Sequence, residues 1–110
     1  MAGYYEVKKS GATCAMFNLK AGNHEVILTS EIYNTKDAAK KGISSVQSNS
    51  QTDVRYERKT EKDGSPYFVL TATNGQTIGK SEMYSSAAAR DKGIESVKTN
   101  GPTSTIKEID

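Results

Sequence analysis

The 110-residue chain has no tryptophan, two phenylalanines, two prolines, one cysteine and one histidine. Each scarcity excludes something. One cysteine, Cys14, rules out an internal disulfide and a cysteine-based metal cluster. With His24 as the sole imidazole, a zinc site would rest almost wholly on carboxylates, a poor donor set. The glycines match neither GxGxxG nor the phosphate-binding GxxxxGK(S/T), and no nucleophile elbow is present. No apolar run exceeds a few residues, and the opening Met-Ala-Gly-Tyr-Tyr-Glu-Val-Lys-Lys lacks the hydrophobic region of a signal peptide. A soluble chain of the cytoplasm with no membrane span is expected. An excess of one charge is missing too. Lys+Arg number 15 against 13 Asp+Glu, interspersed, so the net +2 describes a solvated surface and not the basic stripe of a dedicated nucleic-acid binder. At 35% hydrophobic residues the core is modest, enough for one sheet covered on one face.

What the chain does have is a repeat. Ser30 to Asn49 returns fifty-one positions later as Ser81 to Asn100. Between Tyr5 and Thr52, roughly 19 of 48 ungapped pairs at that offset are identical. A period near fifty residues decides the architecture: a single domain of two repeats, 1–52 and 53–110.

Each repeat opens with a short strand, Tyr4 to Lys9 and then Val54 to Thr60, followed by turn residues at Ser10-Gly11 and Asp63-Gly64. The next strand alternates with period two. Phe17, Leu19 and Ala21 share a face, as do Phe68, Leu70 and Ala72, and that parity is the core side. Gly22-Asn23-His24 and Asn74-Gly75 are hairpin turns leading to a third strand, from Glu25 to about Ser30 and from Gln76 to about Ser81, with Ile27 and Ile78 facing in.

A helix follows in each repeat. Asn34 and Ser85 are good N-caps, with Thr35 and Ser86 as alternatives one residue on. The first choice makes Tyr33–Ala38 and Tyr84–Ala89 hydrophobic staples. Ala39, Gly42, Ile43 and Val46 form the buried stripe, matched by Gly93, Ile94 and Val97 with Arg90 in place of the first alanine. A mid-helix glycine costs about 1 kcal/mol against alanine, so Gly42 and Gly93 imply a close helix–sheet approach. Asn49 and Asn100 sit where a left-handed C-cap belongs. A last β-prone run spans Thr103 to Ile109, giving the order βββα-βββα-β.

The repeated Ser-Glu-x-Tyr, the Lys-Gly-Ile-x-Ser-Val-x-x-Asn within the helix and the Phe-x-Leu-x-Ala-x-Asn strand together resemble the YegP-like family. These are small bacterial proteins built from one or two copies of a roughly fifty-residue domain of unknown function. The resemblance covers nearly the whole chain. It implies an α+β fold in which two tandem βββα(β) repeats form one antiparallel sheet with both helices on one face. It also implies that the strand after each helix is exchanged between the repeats, so that the chain is a dimer fused into one polypeptide. It brings no activity, cofactor or catalytic residue. Leu28 against Gly79 and Ala39 against Arg90 break exact two-fold symmetry.

Few residues compete for a chemical role. His24 lies in a turn and is Gly75 in the second repeat; Cys14 begins a strand and is Ser65 there. Both read as structural. No catalytic, metal or cofactor-binding residue is assigned, and an enzyme is not expected. The one repeated polar constellation is Ser30, Glu31 and Tyr33 with Ser81, Glu82 and Tyr84. It reads first as a strand-to-helix corner and second as a binding patch presented twice. The run Arg55 to Lys62 interleaves basic residues with Glu57 and Glu61, which suits a cross-strand charge ladder. The leading expectation is a monomeric, non-catalytic interaction or accessory module, with another protein as partner, using the uncovered sheet face or the repeated corner. The alternatives are weak nucleic-acid binding through Arg55, Arg58, Lys59 and Tyr67, and a small-ligand or enzyme site at the corners.

Overall fold

The computed structural model describes residues 3–109. Strands β1 (Tyr4–Lys9), β2 (Ala15–Lys20) and β3 (Val26–Ser30) lead to helix α1 (Lys36–Asn49). A short 3-10 turn, Asp53–Arg55, precedes β4 (Tyr56–Thr60), β5 (Pro66–Thr71) and β6 (Thr77–Lys80). Helix α2 (Ala87–Asn100) and strand β7 (Ile106–Ile109) complete the chain. All seven strands form one sheet in the order β4-β5-β6-β3-β2-β1-β7. Alternation separates its faces: Tyr5, Phe17, Leu19, Leu28, Phe68 and Leu70 are buried with Ala39, Ile43, Val46, Ile94 and Val97 of the helices. Among the described residues, the opposite face carries no helix.

The two halves join at β3 and β6, where Thr29 pairs with Lys80. These are equivalent positions of the two repeats, so the pseudo-two-fold axis passes between them. The sheet is antiparallel from β4 through β1, but β7 runs parallel to β1, from Tyr5↔Ile106 to Lys8↔Ile109. This departs from a wholly antiparallel sheet for a reason contained in the repeat. Strand β4 is both the strand after α1 and the first strand of its repeat. Its symmetry mates in the other half are therefore β7 and β1, which must run the same way. The strand leaving each helix enters the other half, as expected of a fused dimer.

Two details of the helices differ from the sequence expectation. The N-caps are Thr35 and Ser86, whose hydroxyls accept from the N–H groups of Ala38 and Ala89 at 3.0 Å each. Tyr33 and Tyr84 thus fall outside the staple register. Each ring instead stacks on the phenylalanine of its own repeat, Phe17 at 6.2 Å and Phe68 at 6.3 Å, and lies against the helix glycine. A Cβ on Gly42 would stand 2.7 Å from Tyr33 Cζ, and one on Gly93 would stand 2.6 Å from Tyr84 Cζ. The helices also end without a left-handed residue. Ser50 and Gly101 are right-handed caps, while Asn49 and Asn100 turn back to donate to the carbonyls of Ser45 and Ser96 at 2.8 Å. At these caps buried Tyr56 donates to Ser50 O at 2.7 Å and buried Tyr5 to Gly101 O at 2.6 Å. Those bonds satisfy the carbonyls of the capping residues themselves.

Candidate functional site

The repeated corner divides into two kinds of residue. Strand β2 and the segment after β3 are joined by paired backbone bonds between Ala15 and Tyr33, at 2.7 and 2.8 Å. Between that bridge and the Asn18–Thr29 pair the register slips. Ser30 fills the gap. Its hydroxyl accepts from the buried Phe17 N–H at 2.9 Å and donates to the Glu31 carbonyl at 2.7 Å. Ser81 repeats this with Phe68 N–H at 3.0 Å and Glu82 O at 2.8 Å. Both serines are buried and act in place of a missing ladder bond. Tyr33 and Tyr84 serve the core as described above. Burial raises the pKa of each phenol, and Glu31 and Glu82 beside them add to the effect.

Glu31 and Glu82 are the remainder, together with the residues that follow them. Both carboxylates are exposed, and no side chain among the described residues bonds to them. The x of Ser-Glu-x-Tyr is apolar in both copies, and it is turned outward: Ile32 is 63% exposed and Met83 43%. An apolar residue repeated in an otherwise polar corner was the signal in the sequence for these two positions.

The axis draws the two corners together. Thr29, Ser30, Glu31, Lys80, Ser81, Glu82 and Met83 line an open groove of about 360 Å³. Thr29 and Lys80, at its centre, point away from the helices. Four of the six corner residues singled out in the sequence thus share one cavity. Tyr33 lies in a second cavity of about 320 Å³, between α1 and the β5–β6 turn, where Lys41, Ser45 and Gln76 also line the wall. Glu31 borders both cavities. Tyr84 lines neither.

Of the cations considered for nucleic acid, Arg55 is half-buried in the 3-10 turn before β4, and Arg58 and Lys59 are paired with carboxylates. Arg58 reaches Asp91 at 3.3 Å and Asp53 at 3.5 Å; Lys59 lies 3.7 Å from Glu57. Tyr67 lies under Lys80, whose ammonium stands 4.8 Å from the ring centre and 3.9 Å from Glu61. His24 is a left-handed turn residue, φ 70°, with its ring nitrogen 2.8 Å from the Tyr4 hydroxyl. Cys14 is half-buried and unpaired. Among the described residues no group of three or more His, Cys, Asp and Glu could hold a metal ion. No helix there is long and apolar enough to cross a membrane.

Comparison with known proteins agrees with this geometry. The model of a domain of unknown function, DUF1508, matches twice, over residues 12–57 and 61–108. The chain is 61% identical to a UPF0339 protein of Bordetella pertussis over 108 residues, covering 98% of this chain and 96% of that protein. It is 53% identical to the UPF0339 protein YegP of Escherichia coli K12, covering 98% of each. Two solution NMR structures share the fold. A UPF0339 protein of Shewanella oneidensis gives a TM-score of 0.92 at 56% identity, over 98% of this chain and 92% of that one. The yegP protein of E. coli, a protein of unknown function, gives 0.92 at 53% identity, over 98% of this chain and 93% of that one.

Proposed function

Because the chain belongs to the DUF1508 family, a domain of unknown function, its role has to come from its own geometry, and we propose a non-catalytic protein-interaction module that presents the axial groove to a partner. One observation carries this reading. Ile32 and Met83, equivalent residues of the two repeats, are both turned to solvent beside Glu31 and Glu82. A core of modest size has little reason to leave two large apolar side chains outside at matching places. An apolar residue beside a charged one at each end of a single groove suits a protein contact, whose centre is apolar and whose rim is polar. The module acts as a monomer, since its second half already supplies the dimer partner, and its setting is the cytoplasm.

An enzymatic site at the corners has less support. A general acid or base requires a positioned partner. Ser30 and Ser81 are committed to backbone bonds, and among the described residues the two carboxylates have no side-chain partner to activate or orient them.

Site-specific photo-crosslinking in living cells tests the proposal. A photoreactive residue at position 32 or 83 should capture the same protein, and one at Glu95 on the outer face of α2 should not. Adducts no stronger at 32 and 83 than at 95 would overturn it.

A further inference from the structure

The chemistry of the partner can be taken one step further, on the premise that the groove is a protein-docking surface. Glu6, Glu57 and Glu61 occupy the uncovered sheet face, and each has a lysine: Lys20 at 2.8 Å, Lys59 at 3.7 Å and Lys80 at 3.9 Å. Glu31 and Glu82, which line the axial groove beside Thr29 and Lys80, have none among the described residues. The floor between them is Thr29 and Lys80, and Lys80 is drawn aside over the Tyr67 ring toward Glu61. The groove therefore presents two unneutralised carboxylates, one at each end, with a polar floor and an apolar flank at Met83.

Their separation follows from the register. Glu31 lies two residues beyond Thr29 and Glu82 two beyond Lys80, in opposite directions from the axis that passes between that pair. The two glutamates are thus four residue levels apart, roughly 13 Å along the strands. In an extended chain, residues four apart lie on one face at that same distance.

We infer that the groove takes an extended, basic segment of a partner protein. Cationic side chains at positions i and i+4 meet Glu31 and Glu82, with uncharged residues between them. Because the two ends of the groove are symmetry mates, the segment is read nearly alike in either chain direction.

The test uses the full chain and a synthetic probe, acetyl-Lys-Thr-Val-Thr-Lys-amide, followed by amide chemical shifts. Saturable shifts are expected at Glu31, Ile32, Glu82 and Met83. The dissociation constant should rise at least tenfold in E31Q/E82Q, whose remaining spectrum should be unchanged. It should also rise several-fold between about 50 and 200 mM salt. Three results would overturn the inference: no shifts at millimolar probe, equal binding of the Glu-Thr-Val-Thr-Glu counterpart, or binding indifferent to E31Q/E82Q. Tighter saturation of the same amides by spermidine would also overturn it, by assigning the groove to free polycations. Binding of the acidic peptide that is lost in I32S/M83S would overturn this inference alone and leave the interaction module standing.

Discussion

Leu28 and Gly79 are the same position of the two repeats, and they meet at the pseudo-two-fold axis, where a Cβ on Gly79 would lie 2.9 Å from Leu28 Cγ. Leu28 is fully buried. Two leucines would collide there and two glycines would leave a void. Ser50 and Gly101, also equivalent, repeat the arrangement at the helix ends, with a Gly101 Cβ falling 2.5 Å from Ser50 Oγ. Where the axis brings like to like, repeat one keeps the side chain and repeat two makes room. Only a fused chain can do this, since identical protomers would have to place the same residue on both sides.

That complementarity is directional and therefore testable. Gly79→Leu should destabilise the chain by about 1–3 kcal/mol through overpacking. Leu28→Gly should cost at least the ~2–5 kcal/mol of a buried leucine truncation. The double swap, L28G/G79L, should recover a large part of the summed loss, measured by urea denaturation. Simple additivity of the two losses would show that they do not share one space.

Helix glycines normally give stability when replaced by alanine, by about 1 kcal/mol. Gly42→Ala and Gly93→Ala should do the reverse, because the new methyl meets the Tyr33 or Tyr84 ring. The sign should return to stabilising when the tyrosine is first truncated to alanine. A destabilisation unchanged by that truncation would place the obstruction elsewhere.

Arg58 stands where repeat one has Val7. Val7 is fully buried, on a strand covered by β7, whereas the Arg58 side chain on the free edge strand β4 is 38% exposed and paired with Asp53 and Asp91. A charge pointing to the core side of an edge strand discourages further strand addition. Arg58→Val should raise self-association, seen as a concentration-dependent increase in sedimentation coefficient. Val7→Arg should leave the chain monomeric but less stable. An R58V variant that stays monomeric at high concentration would remove edge protection as the role of Arg58.

Burial, with a smaller contribution from a neighbouring charge, raises the pKa of both Tyr5 and Tyr56 above the usual tyrosine value. The folded chain then holds these protons after the unfolded chain has released them. Stability is fully present below about pH 10 and falls as pH rises beyond it. Urea midpoints between pH 8 and 11 should drop more steeply for the wild type than for Y5F/Y56F, which starts lower because it lacks the bonds to Gly101 O and Ser50 O. Parallel curves would exclude these two phenols as the cause.

The sequence made the repeat, the buried stripes Ala39-Gly42-Ile43-Val46 and Gly93-Ile94-Val97, and the strands legible, because each depends on local period. What it left unread depends on contacts across the chain. The N-cap moved by one residue because Tyr33 packs on Phe17 and Gly42 rather than on Ala38. Where the sequence suggested left-handed C-caps at Asn49 and Asn100, the helices end in right-handed Ser50 and Gly101 instead. Ser30 had no assignable role until Phe17, thirteen residues away, was placed beside it. The Leu28–Gly79 difference was visible as broken symmetry, but its meaning needed the position of the axis.

At the repeated corner, Ser30 and Ser81 hold the fold, while Glu31, Ile32, Glu82 and Met83 are the residues we propose meet a partner. The most direct measurement is capture of the crosslinked partner by the folded chain carrying E31Q, I32S, E82Q and M83S, with a single photoreactive residue at Thr29. These are exposed positions, so the urea stability should stay within about 0.5 kcal/mol of wild type. Capture should fall at least tenfold against the otherwise wild-type chain crosslinked from the same site. Undiminished capture by a stable quadruple variant would contradict the account.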